Sequence, residues 1–275
     1  MKQNSSTKAD CGSVSKNSSN AMLPVSTEKL VRVFNFSGGK TSAYMTVKYW
    51  QPNDLVIFCD TGREHPKTYK FINDFEAFEN IPVIRLKYYD AENPFSALLH
   101  KKKHKCLPNR VKRFCTDELK IKVCKRYLRS IGIRRFENFI GFRSDEPLRI
   151  KRRVQKFKNV IDKFPLYENG IDKPTINEYW KHKPYNLEIP SILGNCTLCF
   201  MKGKNALISI LSLYPELADE WIADEKEAQK WGKFGGHTYF PDVTIEQLRN
   251  IAQNNLFKDV DLSELTPAFN CACTT

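Results

Sequence analysis

The chain has 275 residues, enough for one large α/β domain or for one domain with an appendage. Its hydrophobic content of 41% supports a buried core, and no run of about 18 apolar residues is present to cross a membrane as a helix. The formal charge of +13 is concentrated: residues 101–158 hold 21 Lys/Arg against 5 Asp/Glu, which points to a phosphate-bearing partner larger than one nucleotide, with a solvated charged face as the plain alternative.

Met1 to Asn20 is rich in Ser, Asn and Lys and has no apolar segment of a secretory signal. Residues 1–28 therefore read as a disordered tail. The nine cysteines are unevenly spaced in a chain far larger than a disulfide miniprotein. They are expected to be reduced, in a cytoplasmic protein, with close pairs serving metal or redox chemistry.

Val31 to Phe36 is short, apolar and β-prone. Ser37-Gly38-Gly39 breaks it, and Thr41 to Tyr49 continues at helical spacing. A strand, a glycine turn and a helix N-terminus aim several backbone N–H groups at one spot, which suits a phosphate. Lys40 and the hydroxyls of Ser37, Thr41 and Ser42 add donors. A βα turn with glycines for packing is the plain alternative. A Walker A loop would need glycine at position 34, which is Phe34, so the loop is too short for that motif.

The stretch Ser37-Gly38-Gly39-Lys40-Thr41-Ser42 resembles the PP-loop of the adenine nucleotide α-hydrolase-like superfamily, with Thr41 where that family usually has Asp. The resemblance implies ATP held by its pyrophosphate with Mg2+ and cleaved between the α- and β-phosphates.

Leu55 to Cys59 is an apolar strand that ends in the turn Asp60-Thr61-Gly62. In an open parallel sheet this is the end at which ligands sit; an Asp capping the next helix is the alternative. His65-Pro66 opens that helix, with Phe71, Phe75 and Phe78 expected on its inner side. The segment from Asp60 to Thr68 resembles the Asp-Thr-Gly…Pro-Glu-Thr segment of phosphoadenylylsulfate (PAPS) reductases, a branch of the same superfamily.

Ile81 to Tyr88 reads as a third strand, and Phe95 to His104 as a short helix. Arg113-Phe114-Cys115-Thr116 opens a helix to about Arg129 and resembles the reductase segment Arg-Xaa-Cys-Thr…Leu-Lys-Ile. By that resemblance Arg113 and Lys120 meet phosphate or sulfate. Phe136 to Gly141 is a fourth strand, and the following Phe142-Arg143-Ser144-Asp145-Glu146 resembles a family turn beside the active site. Phe164 to Tyr167 and a Trp-containing helix from Thr175 to Lys183 resemble the segment after the family's sheet.

Beyond Leu187 the character changes. Cys196 and Cys199 form a Cys-x2-Cys turn, helices are expected over 205–213, 215–230 and 244–255, and Cys271 and Cys273 form a second close pair. Four thiolates make a complete tetrahedral set, so these four are candidate ligands for zinc or an iron–sulfur (4Fe–4S) cluster. Cys115, with 80 residues between it and Cys196, gives a layout that resembles iron–sulfur adenylylsulfate (APS) reductases, with Phe114 replacing one cysteine. Cys59, Cys106 and Cys124 read as ordinary core or surface thiols.

The expected architecture is α/β, a doubly wound, mostly parallel, Rossmann-like sheet over 29–190, with a helical, cysteine-bearing region over 191–275. The resemblance implies nucleotide contacts from Ser37, Gly38, Gly39, Lys40, Thr41, Ser42, Asp60, Thr61, Gly62 and Gly141, and catalytic roles for Lys40, Asp60, Arg113, Lys120 and Arg143. Three functions follow. The first is an ATP-using enzyme of adenylylation-linked sulfur transfer, with tRNA or DNA as acceptor through residues 101–158. The second is a PAPS or APS reductase, although Asn270-Cys271-Ala272-Cys273 departs from that group's Glu-Cys-Gly-like tail. The third is a non-catalytic nucleotide- or DNA-binding regulator.

Overall fold

The computed structural model describes residues 30–101, 106–153, 158–231 and 236–254, together with Leu262 and Leu265. Five strands form one sheet: β1 (Val31–Asn35), β2 (Leu55–Cys59), β3 (Ile84–Leu86), β4 (Phe136–Phe139) and β5 (Val160–Lys163). Their order is β3-β2-β1-β4-β5, and every pairing is parallel. The direction of winding reverses between β1 and β4, so a crevice is expected at the carboxyl ends of those two strands.

Parallel strands need crossovers, which bury both faces of the sheet. Alternation along β1 shows the result: Phe34 packs on one face and Val33 on the other. The first face carries α1 (Lys40–Tyr49), α2 (Pro66–Glu79) and α8 (Lys173–Lys181), whose Met45, Phe71 and Trp180 close over Phe34 and Phe58. The second face carries α5 (Lys122–Ser130), whose Cys124 and Leu128 cover Val33, Ile57 and Phe136. The chain enters α5 through Phe114–Thr116 (α4) and a π-helical turn at Asp117–Ile121. Short helices α6 (Pro147–Lys151) and α7 (Pro165–Glu168) flank β5.

A third apolar cluster lies beyond the β3 edge. It joins α3 (Pro94–His100) to α9 (Lys204–Leu213), α10 (Asp219–Ala228) and α11 (Ile245–Asn254) through Phe95, Leu99, Leu207, Trp221 and Leu248. The C-terminal helices are those the spacing predicts, with a 3-10 turn at Pro215–Ala218 ahead of α10.

Three expectations need correction. Phe78 is 57% exposed and stacks on Tyr185 at 5.0 Å; it sits a turn past Phe75, near the end of α2. β3 is shorter than the predicted 81–88, because Pro82 cannot donate to a ladder and Tyr88 opens a 3-10 turn. β5 is a strand that the apolar pattern does not predict, since Val160-Ile161-Asp162-Lys163 is half polar. The expected tail 1–28 and Cys11, Cys271 and Cys273 lie outside the described residues. No described helix is long and apolar enough to cross a membrane.

Candidate active site

The loop after β1 holds itself open. Ser42 is buried and its Oγ accepts from the Ser37 backbone N–H at 3.1 Å while donating to the Gly39 carbonyl at 2.9 Å. Ser37 Oγ lies 3.1 Å from Ser42 Oγ. The loop thus closes on Ser42, and no side chain caps the start of α1. Trp180 of α8 fixes the loop from behind, donating its indole N–H to the Lys40 carbonyl at 3.0 Å.

The two glycines do different work. Gly38 has φ +72°, and a Cβ there would lie 2.6 Å from Thr68 Cγ2, so packing against α2 demands glycine. A Cβ on Gly39 would meet only Ser37 Oγ, at 3.6 Å. The space in front of Gly39 is therefore open, beside an uncapped helix N-terminus. Lys40 is half-buried, and burial lowers its pKa. Across the switch point, the backbone of Gly141 faces Thr41 and Ser42, where an added Cβ would come within 3.5 and 3.6 Å. Ser37 to Ser42 and Gly141 thus converge.

Asp60 stands at the end of β2 but is already engaged. Its Oδ1 accepts from the Gly62 backbone and from Tyr69 Oη, both at 2.8 Å, and Lys87 Nζ lies 3.8 Å from Oδ2. Glu64, to which the sequence pattern assigns no role, is buried and accepts from the Thr61 hydroxyl at 2.8 Å and the Thr61 backbone at 3.1 Å. Burial holds its carboxyl above the usual range, and the Lys120 charge and the Thr61 bonds pull it back. Burial works against the charge on Lys120, but the Glu64 carboxylate outweighs it and raises the lysine above its usual range.

The Cys-x2-Cys turn docks on this β2 turn. Glu64 and Cys196 form an antiparallel bridge, the Thr197 N–H donates to the Arg63 carbonyl at 2.8 Å, and Thr61 Oγ1 lies 3.4 Å from Cys196 Sγ. Cys115 is not brought together with Cys196 and Cys199 as a three-thiol set. Burial pushes the Cys196 thiol up to about 12 and the Cys115 thiol up to about 11. Lys202 lies under the turn, donating to the Cys196 and Thr197 carbonyls at 2.8 and 2.7 Å, and burial lowers its pKa to about 8. Among the described residues, no three His, Cys, Asp or Glu side chains are arranged to hold one metal ion.

Arg113 and Arg143 are less directly placed. Arg113 Nη2 reaches Thr116 Oγ1 at 3.4 Å, beside Cys115. The Arg143 guanidinium is held by Asp145 at 2.8 and 3.1 Å and by Glu146 at 3.5 Å, so binding an anion would mean exchanging those carboxylates.

Two sets of residues carry no assignment from sequence. Arg63 is 2% exposed; its guanidinium bonds Asp224 at 2.6 Å, Ser96 at 2.9 Å and Glu220, and lies over Phe95 and Trp221. It ties the β2 turn to α10. Asn35, Asn138 and Asp162 form a polar ladder across β1, β4 and β5: Asn138 Nδ2 donates to Asp162 at 2.7 Å, and Asn35 Nδ2 donates to Asn138 and to the Phe139 carbonyl. Each of these strands holds two polar residues, and the one of each pair that shares the Val33 face forms the ladder.

Residues 32–184, more than half of the chain, match the family described as Phosphoadenosine phosphosulfate reductase domain. The chain is 31% identical over 202 residues to the uncharacterized nin region protein ORF290 of Escherichia phage lambda, covering 63% of this chain and 67% of the relative. It is 28% identical over 201 residues to the uncharacterized protein MJ0973 of Methanocaldococcus jannaschii, covering 68% of this chain and 46% of that one. A solved PAPS reductase from Candida auris, in a phosphate complex, aligns with a TM-score of 0.40 and 19% identity, over 59% of this chain and 77% of that one. Matched over the strands, the open loop and the β2 turn described above, the chain belongs to the PAPS reductase-like family of the PP-loop superfamily.

Proposed function

We propose that the protein binds ATP at the Ser37–Ser42 loop and couples cleavage between its α- and β-phosphates to sulfur transfer onto a nucleic acid. The observation that carries this reading is the open space before Gly39, set against an uncapped helix N-terminus with Lys40 alongside. Backbone N–H groups there suit the pyrophosphate of a nucleoside triphosphate. An acceptor oxygen attacks the α-phosphorus, the bond to the bridging oxygen of the β-phosphate breaks, and pyrophosphate leaves. A sulfur nucleophile then displaces AMP from the adenylylated acceptor. The chain's part is positioning and charge neutralisation by Lys40 and Lys120, with Arg113 and Arg143 at the rim. Mg2+ would arrive with the triphosphate, and the polar ladder from Asn35 to Asp162 lies on the strands that flank the switch point.

Cys196 and Cys199 are proposed as half of a thiolate site for zinc or an iron–sulfur cluster, completed by Cys271 and Cys273. The described residues do not by themselves form a full set, and no step is routed through such a group. A specific observation favours a second reading, PAPS or APS reduction: Cys196 Sγ lies 3.4 Å from Thr61 Oγ1 in the turn that ends β2, where a sulfonucleotide could meet a thiol. Labelled ATP and labelled PAPS separate the two. AMP with pyrophosphate supports the first, and sulfite release supports the second.

A further inference from the structure

A cleft of roughly 770 Å³ opens beside α5, over the amino ends of β4 and β5. Its floor includes Phe136 and Val160, and its rim carries Lys125, Arg129, Arg134 and Lys158. Among the described residues, no carboxylate lines it. Arg129, Arg134 and Lys158 are exposed, and among the described residues none has an ion-pair partner. The Ser37–Ser42 loop lies at the carboxyl end of the sheet, so these cations are not those that neutralise ATP. Unopposed cations gathered round a concavity repel one another, and an anion with several charges relieves that repulsion.

The basic surface continues along α5. Arg126 is one helical turn from Arg129, hence on the same face. Its guanidinium lies over the ring of Tyr89, 4.2 Å from the centroid, and Lys101 Nζ lies 3.3 Å from the same centroid. Tyr89 is 59% exposed. It also has φ +49°, followed by Asp90 at φ +53°, a left-handed conformation that strains a bulky residue. Tyr88 next to it is buried in the third apolar cluster, which fixes the turn and presents the Tyr89 ring outward. Lys101 is exposed, on a long side chain that can yield its place on the ring to a base.

We infer that the outer face of α5, from Tyr89 to the Arg129–Arg134–Lys158 cleft, binds a single-stranded nucleic acid. Phosphates would occupy the cleft, and an unpaired base would stack on Tyr89 or on the Arg126 guanidinium. A duplex offers no free base face to that ring, which selects the single strand. The inference rests on the reading that the acceptor is a nucleic acid, but not on the chemistry at the nucleotide loop.

Fluorescence anisotropy with a labelled oligo(dT) or oligo(U) of about 20 nucleotides tests it. The wild-type protein should bind the single strand more tightly than the matched duplex. Arg129→Gln, Arg134→Gln and Lys158→Gln combined should weaken binding at least tenfold. The plot of log K against log salt should become shallower by about 2, since each phosphate left without its cation takes roughly 0.7 off the slope. Tyr89→Ala should weaken binding 5- to 100-fold while Tyr89→Phe keeps it, and ATP affinity should not change in any variant. A combined variant that binds like wild type overturns the surface and leaves the nucleic-acid reading standing. Equal binding of duplex, with Tyr89→Ala silent, overturns the single-strand assignment. No oligonucleotide binding at low salt, with ATP still bound, overturns both the surface and the nucleic-acid acceptor but not the nucleotide site.

Discussion

Thr61 and Cys196 stand 135 residues apart in sequence, and their side chains lie 3.4 Å apart. The contact places the Cys-x2-Cys turn against the turn that ends β2, beside the strand that carries the phosphate loop. The turn proposed for sulfur chemistry and the loop proposed for nucleotide binding are thereby brought to one end of one sheet. The two turns are also joined through their backbones, by the Glu64–Cys196 bridge and by the Thr197 N–H, which donates to the Arg63 carbonyl at 2.8 Å.

The loop glycines give a paired test. Gly39→Val should abolish ATP binding in a protein that melts normally, because the side chain fills open space. Gly38→Ala should cost about 1–3 kcal/mol of stability, since it combines a positive φ with a 2.6 Å clash against Thr68. Denaturant unfolding and nucleotide titration on both variants check this. Wild-type ATP affinity in folded Gly39→Val would remove the loop assignment.

Arg63 is predicted to be a major stabiliser through Asp224 rather than Glu220. The Asp224 side chain is 8% exposed and Glu220 60%, so solvent screens the second pair. Arg63→Ala leaves Asp224 buried without its cation and should cost about 3–5 kcal/mol. Glu220→Gln should cost less than about 1 kcal/mol. Urea midpoints measure both.

Glu225 makes stability depend on pH. Burial raises its pKa to about 7; the N–H groups of Ile245 and Tyr239 oppose that shift, and Asp224 and Glu246 add to it. A raised carboxyl binds its proton more tightly in the folded state. Its stabilising share is therefore complete below about 4.5 and lost as pH rises through 7. Urea stability should fall over that window, and Glu225→Gln should flatten the fall. An unchanged slope in the variant would show that another group titrates.

The thiolate proposal is tested by truncation after Ala268. If Cys271 and Cys273 complete the site begun by Cys196 and Cys199, anaerobically purified truncated protein should lose bound zinc or iron. Unchanged metal content in the truncated protein would show that the tail pair is not ligating.

Much of the fold is legible because β1 and β2 are mostly apolar runs that end in glycine or aspartate turns, and a strand–Gly-Gly–helix unit has few alternatives; β4 is half polar and is read through the Phe139-Ile140-Gly141 that ends it. β5 is not legible, because Asp162 turns inward to bond Asn138 and so breaks the apolar alternation. The loop residues Ser37 to Ser42 are readable from local chemistry. The docking of Cys196 on Thr61, and of Arg63 on Asp224, is not. Those contacts depend on how the C-terminal helices pack, and no local pattern near Arg63 distinguishes it from an exposed cation.

The most direct measurement follows ATP labelled at the α-phosphate, with single-stranded nucleic acid and a sulfide donor present. The account predicts labelled AMP and pyrophosphate in equal amounts, with neither formed by Gly39→Val. ADP with inorganic phosphate, or intact ATP alongside sulfite release from PAPS, would contradict it.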